Sequence, residues 1–241
     1  MKKILALFIL ISHSLFLQAA TLDQEQQDQV RQLIRQTLME HPDIIVDAIN
    51  ELRKQEYQKQ LKDQKAALEL NKKALFEDRN DPYRGAEKPK LTITYFSDFN
   101  CGFCKRQDPI LDTILEKFPE VRIVYKDLPI LGESSREAAT LALAAYQQDP
   151  KSYVKLHKTM MAKPGRHDSH SIATAFKSEN IDIEVLKKMD HKKIGQQLDN
   201  NVQLATQLGI QGTPALVFPD HIQGGFTDAE QLEKMIKERL Q

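Results

Sequence analysis

The chain has 241 residues, with 34 Lys and Arg against 34 Asp and Glu, so its formal net charge is zero and its isoelectric point is near 7.1. That balance supplies no electrostatic footprint for nucleic acid or for an anionic membrane surface. Two cysteines exclude a disulfide-stapled scaffold, and the length allows one domain of fair size plus an extension.

The first twenty residues read as a secretory signal peptide: Met1-Lys2-Lys3, a mainly apolar run from Ile4 to Leu17, then Ala19-Ala20. The run is shorter than the ~20 apolar residues of a membrane span. Leu17 or Gln18 stands where a small residue is usual before the cut, which leaves an uncleaved anchor as the alternative. Export implies an oxidising compartment.

Residues 21–79 favour helix throughout. Val30, Leu33, Ile34 and Leu38 form one apolar stripe, His41-Pro42-Asp43 interrupts it, and Pro42 suits the first position of a second helix carrying Ile44, Ile45, Ile49 and Leu52. Tyr57, Leu61, Gln64, Leu68, Asn71 and Leu75 then alternate steps of four and three, which suggests a coiled-coil seam with two polar members, Gln64 and Asn71. So thin a stripe on so polar a helix has little to bury unless another chain supplies the other half. The segment is therefore expected to be an oligomerisation arm making a homodimer or homotrimer; a helix folded back on its own domain is the alternative. Residues 80–90, from Asn80-Asp81-Pro82 to Lys88-Pro89, are rich in breakers and read as a linker.

A β-prone run, Leu91 to Phe96, leads into Cys101-Gly102-Phe103-Cys104, and a helical pattern leads away through Ile110, Leu111, Ile114 and Leu115. A helix start presents unpaired N–H groups and a partial positive charge, both of which favour a thiolate. Cys101, nearer that start, is the expected nucleophile, and Cys104, one turn further in, the resolving cysteine. A vicinal pair closes too small a loop to stabilise much, so its role is chemical. Pro109 is expected to bend the redox helix, and Val121 to Tyr125 to form a second, parallel strand in a βαβ unit.

Helical patterns fill about residues 134–208. Ser134-Ser135-Arg136-Glu137 reads as a capping box, Asp149-Pro150 opens another helix, and Gly209 ends the last. Strand residues resume at Gly212-Thr213-Pro214, turn near Pro219-Asp220 and return to Phe226; Thr227-Asp228-Ala229-Glu230 reads as a capping box for a terminal helix.

In this order, strand, CxxC, helix, strand, helical insert, Thr-Pro, hairpin and terminal helix resemble the α/β thioredoxin fold of DsbA-like thiol:disulfide oxidoreductases. The resemblance covers about Lys90 to Gln241, with the thioredoxin-like domain at residues 91–241, and the helical arm in front is similar to that of ScsC-type members. The resemblance implies a periplasmic enzyme exchanging disulfides with unfolded or misoxidised exported proteins and recycled by a DsbD-like or DsbB-like membrane partner. It makes Pro214 a cis proline against the pair and has Thr213 offer backbone hydrogen bonds to the substrate. Gly102 and Phe103, between the cysteines, are also expected at the substrate, Phe103 as an apolar contact, and with no further ligands beside the pair no metal or cofactor is expected. The Gly-Phe dipeptide departs from the Pro-His of strongly oxidising members and lies nearer the Gly-Tyr of isomerases, which favours isomerase or reductase over dedicated oxidase. Tyr95 replaces the buried acid that some members carry, and Asp98 reads as a turn residue or a proton carrier. Outside this class, the pair as a copper(I) ligand or part of a chaperone is the alternative. His167 and His170, flanking Asp168 closely, read as a solvated loop pair.

Overall fold

The computed structural model describes residues 22–241; the signal-peptide segment lies outside the described residues. Two compact units divide the chain at Tyr57 and Gln58. In the first, Asp23 caps α1 (Gln24–Glu40) through a capping box with Gln26, and α2 (Asp43–Leu70) begins after Pro42. Helix α1 buries no residue, and Val30, Leu33, Ile34, Ile45 and Ile49 are all exposed.

The second unit holds the end of α2, the short α3 (Lys72–Phe76) and a five-stranded sheet in the order β1-β3-β2-β4-β5. Its strands are β1 (Tyr83–Gly85), β2 (Leu91–Ser97), β3 (Val121–Asp127), β4 (Ala215–Val217) and β5 (Ile222–Gly224). Strands β2 and β3 run parallel, joined through α4 (Gly102–Lys117), while β1, β4 and β5 are antiparallel to their neighbours. Five helices of the insert follow β3: α5 (Glu133–Gln148), α6 (Pro150–Ala162), α7 (Ser169–Ser178), α8 (Ile183–Lys187) and α9 (Lys192–Gln207). Helix α10 (Ala229–Leu240) ends the chain.

Side-chain alternation along the strands serves two cores. Ile93, Tyr95, Ile123, Tyr125 and Leu216 point into the larger one, filled by α4, α10 and the insert helices. Phe96, Ala215 and Val217 point to the other face and meet Leu68, Leu75 and Leu204. The sheet is thus covered on both sides, and every residue of β2 but Thr92 is buried, the polar Thr94 and Ser97 included.

Four local expectations change. The breaker-rich segment 80–90 contains β1, an edge strand registered on Ile123 through Arg84. The heptad pattern breaks at Asn71, and its members Leu68 and Leu75 seat on the sheet, where the Leu75 carbonyl accepts from Thr94 Oγ1 at 2.5 Å. Ser134 does not cap α5; its N-cap is Gly132, at φ +116°, and the hydroxyls of Ser134 and Ser135 are used elsewhere. At α10 the cap is Asp228, accepting from the Gln231 N–H, while Thr227 is buried with its N–H on Gln107 Oε1. Helix α4 runs on without interruption through Pro109.

Candidate active site

The cysteine pair stands where β2 gives way to α4, and the turn between them is fixed by two side chains. Asp98 accepts three backbone N–H groups on its carboxylate: Asn100 at 2.7 Å, Ile130 at 3.0 Å and Leu131 at 3.1 Å. Its carbonyl accepts the Cys101 N–H at 2.9 Å. A carboxylate so engaged holds the turn and ties the loop after β3 to it, as a turn residue does. Asn100, 7 % exposed, donates from Nδ2 to Ser134 Oγ at 2.8 Å and Ser135 Oγ at 3.0 Å, and accepts the His167 N–H on Oδ1 at 2.6 Å. One amide therefore joins the redox loop to α5 and to the loop before α7.

Cys101 is the N-cap of α4, and its sulfur takes the place of a capping oxygen. Sγ accepts the Cys104 N–H at 3.2 Å and lies 3.2 Å from the Thr213 carbonyl. The Thr213–Pro214 peptide is cis. A hydrogen bond from the Cys104 side chain, opposed by burial and aided by contacts from Thr213 and the backbone of Cys104 and Phe103, lowers the Cys101 thiol to about 6. Burial, reinforced by the neighbouring Cys101, pushes the Cys104 thiol far above its ordinary value. The two sulfurs are thus a thiolate and a thiol at neutral pH. Cys101 is 6 % exposed and Cys104 fully buried, so an incoming sulfur meets Cys101.

The residues singled out in the sequence separate spatially. Cys101, Cys104, Thr213 and Pro214 converge. Gly102 lies on the open side of the helix start, where an added Cβ would touch nothing. Phe103 is 55 % exposed, with the Arg106 guanidinium 5.4 Å from its ring; the same guanidinium lies 4.6 Å from the Phe226 ring. His167 and His170 do not form a solvated pair. His167 is buried, its ring bonded to the Met160 carbonyl and Ser171 Oγ, because its backbone is held by Asn100; His170 is exposed in the first turn of α7.

Sequence reasoning missed the frame around the pair. Lys105 Nζ donates to the carbonyls of Lys163 and Gly165, each at 2.6 Å, and burial, with Lys163 nearby, lowers its ammonium to about 8. Under α4, Asp108 meets the fully buried His157 at 2.9 Å, and the His157 ring packs on Phe99 and Tyr125. Beside them Asp127 accepts from Tyr153 Oη at 3.1 Å, and burial raises its carboxyl to about 7. The sequence signal for this frame is the polar pair in each element, Gln107 and Asp108 before Pro109 in α4 and Lys126 and Asp127 closing β3.

Comparison with known proteins agrees with this geometry. A model of the DSBA-like thioredoxin domain matches residues 92–237, and one of the copper resistance protein ScsC N-terminal domain matches residues 26–59. A linker-deletion mutant of Proteus mirabilis ScsC is 38 % identical, covering 92 % of this chain and 98 % of that one, with a TM-score of 0.71. The catalytic domain of Proteus mirabilis ScsC is 41 % identical over 73 % of this chain and 98 % of its own, with a TM-score of 0.69. A periplasmic thioredoxin-like protein from Salmonella enterica serovar Typhimurium is 37 % identical over 71 % of this chain and 96 % of its own, at 0.67.

Proposed function

We propose that this chain, which belongs to the DSBA-like thioredoxin domain family and is a thiol–disulfide oxidoreductase of the DsbA/ScsC type, works in the periplasm as a disulfide isomerase or reductase on exported proteins. The observation that carries the direction is how the Cys101 thiolate is held. Its stabilising contacts come from the Cys104 side chain, the Thr213 side chain and the backbone of Cys104 and Phe103, and none from a side chain of the Gly102-Phe103 dipeptide. The thiol is brought to about 6, enough to ionise it at neutral pH. The strongest oxidants of this chemistry stabilise their thiolate much further, to a pKa of about 3.5, and so release their disulfide more readily. A thiolate of intermediate stability attacks substrate disulfides and departs again.

In the first step the Cys101 thiolate attacks one sulfur of a substrate disulfide. A Cys101–substrate bond forms, the substrate S–S bond breaks, and its electron pair leaves on the second substrate sulfur as a thiolate. In isomerisation another substrate thiolate attacks this intermediate and Cys101 departs unchanged, with no net transfer of electrons. In reduction Cys104 loses its proton to solvent and attacks Cys101, the Cys101–Cys104 bond closes, and the remaining substrate thiolate leaves. Two electrons have then passed to the substrate, and a membrane reductant of the DsbD-like kind returns them. Cys101 is the nucleophile, Cys104 the resolving group, and Thr213, Pro214, Gly102 and Phe103 surround the entering chain.

Assembly follows from α1 and the start of α2. Leu33 is 63 % and Ile34 54 % exposed on a helix that buries nothing within its unit. A second copy presenting the same stripe is the occupant with matching chemistry, giving a homodimer or homotrimer.

The test is the redox state of the pair in intact cells, fixed by acid quenching and read by a mass tag on free thiols. A predominantly reduced pair, together with recovery of activity from a scrambled, misoxidised substrate, is expected. A predominantly oxidised pair makes the protein a dithiol oxidase served by a DsbB-like partner.

A further inference from the structure

The polar member Gln64 of the arm pattern takes no part in core packing. Along α2 and α3, Leu68 and Leu75 are buried against the sheet, and Asn71 spends its amide on the Ala67 carbonyl at 2.9 Å. Gln64 lies on the same helix face one turn before Leu68 and is half-buried. It forms one wall of a groove of about 390 Å³ whose other walls include Leu208, Ile210, Ile222 and Gly224 and whose floor is the segment Gln211 to Ala215. No charged side chain lines it.

Thr213 links the groove to the reactive sulfur: it lines the groove, and its carbonyl is 3.2 Å from Cys101 Sγ. Among the described residues the backbone N–H groups of Gln211, Gly212 and Thr213 donate to no backbone carbonyl, although the neighbouring Ile210 and Gly225 N–H groups do. Consecutive free backbone donors beside an uncharged groove fit one kind of occupant, an extended polypeptide that pairs its main chain with them. An amide side chain across the groove can donate to and accept from such a backbone, which a leucine at this position of the pattern could not do.

We propose that Gln64 contacts the substrate, so that the C-terminal half of α2 is a wall of the substrate site: the uncharged segment flanking a client's cysteine lies extended between Gln211–Thr213 and Gln64. The inference rests on Cys101 as the attacking sulfur, and its test separates the two.

The full chain and its Gln64→Trp and Gln64→Ala variants are compared in their rates of exchange with two oxidised probes. One is an uncharged ten-residue peptide carrying a mixed disulfide at its centre; the other is hydroxyethyl disulfide, which has no chain to occupy the groove. Tryptophan fills the groove, and the peptide rate is expected to fall about tenfold, the equivalent of one or two lost hydrogen bonds, while alanine lowers it by a smaller factor. The rate with hydroxyethyl disulfide and the pH midpoint of Cys101 alkylation stay unchanged. Equal rates in all three proteins with the peptide, or equal losses with both probes, overturn the proposal. A change of oligomeric mass in Gln64→Trp with the peptide rate intact overturns it too, and assigns the groove to contact between copies. Exchange with either probe that survives in Cys101→Ser rejects Cys101 as the nucleophile instead.

Discussion

Cys101 occupies the position that Ser, Thr or Asp usually fills at the start of a helix, and its sulfur is the acceptor for the Cys104 N–H. Capping and nucleophilicity therefore share a contact, since the Cys104 N–H that completes the helix adds to the larger effect of the Cys104 side chain in holding the thiolate. With the thiol lowered from 9.0 to about 6, alkylation of Cys101 by iodoacetamide should rise with a midpoint near pH 6. Because the folded-state value is depressed, the thiolate's contribution to the stability of the reduced form is complete above about pH 9 and is lost as pH falls toward 6. Urea denaturation of the reduced protein and of Cys101→Ser across that window should show the difference between them shrinking toward acid. Asn100 is the other residue that acts beyond itself. Asn100→Ala leaves the His167 N–H and the hydroxyls of Ser134 and Ser135 without their partner, and is expected to cost about 2 to 3 kcal/mol in denaturant unfolding, with the substrate rate falling as well.

Among the elements, those with a local signature were legible in the sequence: a strand entering the pair, a helix leaving it, and Asp149-Pro150 opening α6. What escaped were features decided by partners far along the chain. The pair Ser134 and Ser135 looks like a cap, yet Gly132 starts the helix and the hydroxyls serve Asn100, some 34 residues earlier. His167 looks like a loop residue until Asn100 holds its backbone. Strand β1, three residues long among breakers, exists because β3 offers an edge. The heptad pattern mixes two duties, and nothing in its period marks that Leu68 and Leu75 face the sheet rather than a second helix. Leu75 is fully buried beside Phe96 and Val217, so Leu75→Ala should cost about 2 to 5 kcal/mol by thermal or denaturant unfolding, whereas truncating the 41 % exposed Leu61 should cost far less. Equal losses at the two positions would put the seam reading back in place for both.

For the molecule as a whole, the first unit is the part whose sequence asks for company. Its apolar residues stand on the surface of α1 and the start of α2, and the second unit closes two cores of its own. Replacing Leu33 and Ile34 together by Gln should lower the mass measured by light scattering to that of a single chain, while the rate with a small disulfide is retained. An unchanged mass would remove α1 from the assembly.

Under the proposed isomerase or reductase function, the near-complete enclosure of Cys101 has a consequence for which proteins are repaired. A cysteine only 6 % exposed, its sulfur against the Thr213 carbonyl, cannot reach a disulfide seated in a finished, rigid domain, where neither bonded sulfur can be brought forward. It reaches bonds carried on slack chain. Clients are thereby sorted by how loosely they hold their own cross-links: a correct bond, once locked in by folding, passes out of range, while a wrong one stays within range for as long as it prevents folding. The opening above one sulfur thus acts as an inspector of completion, with no need to recognise any sequence.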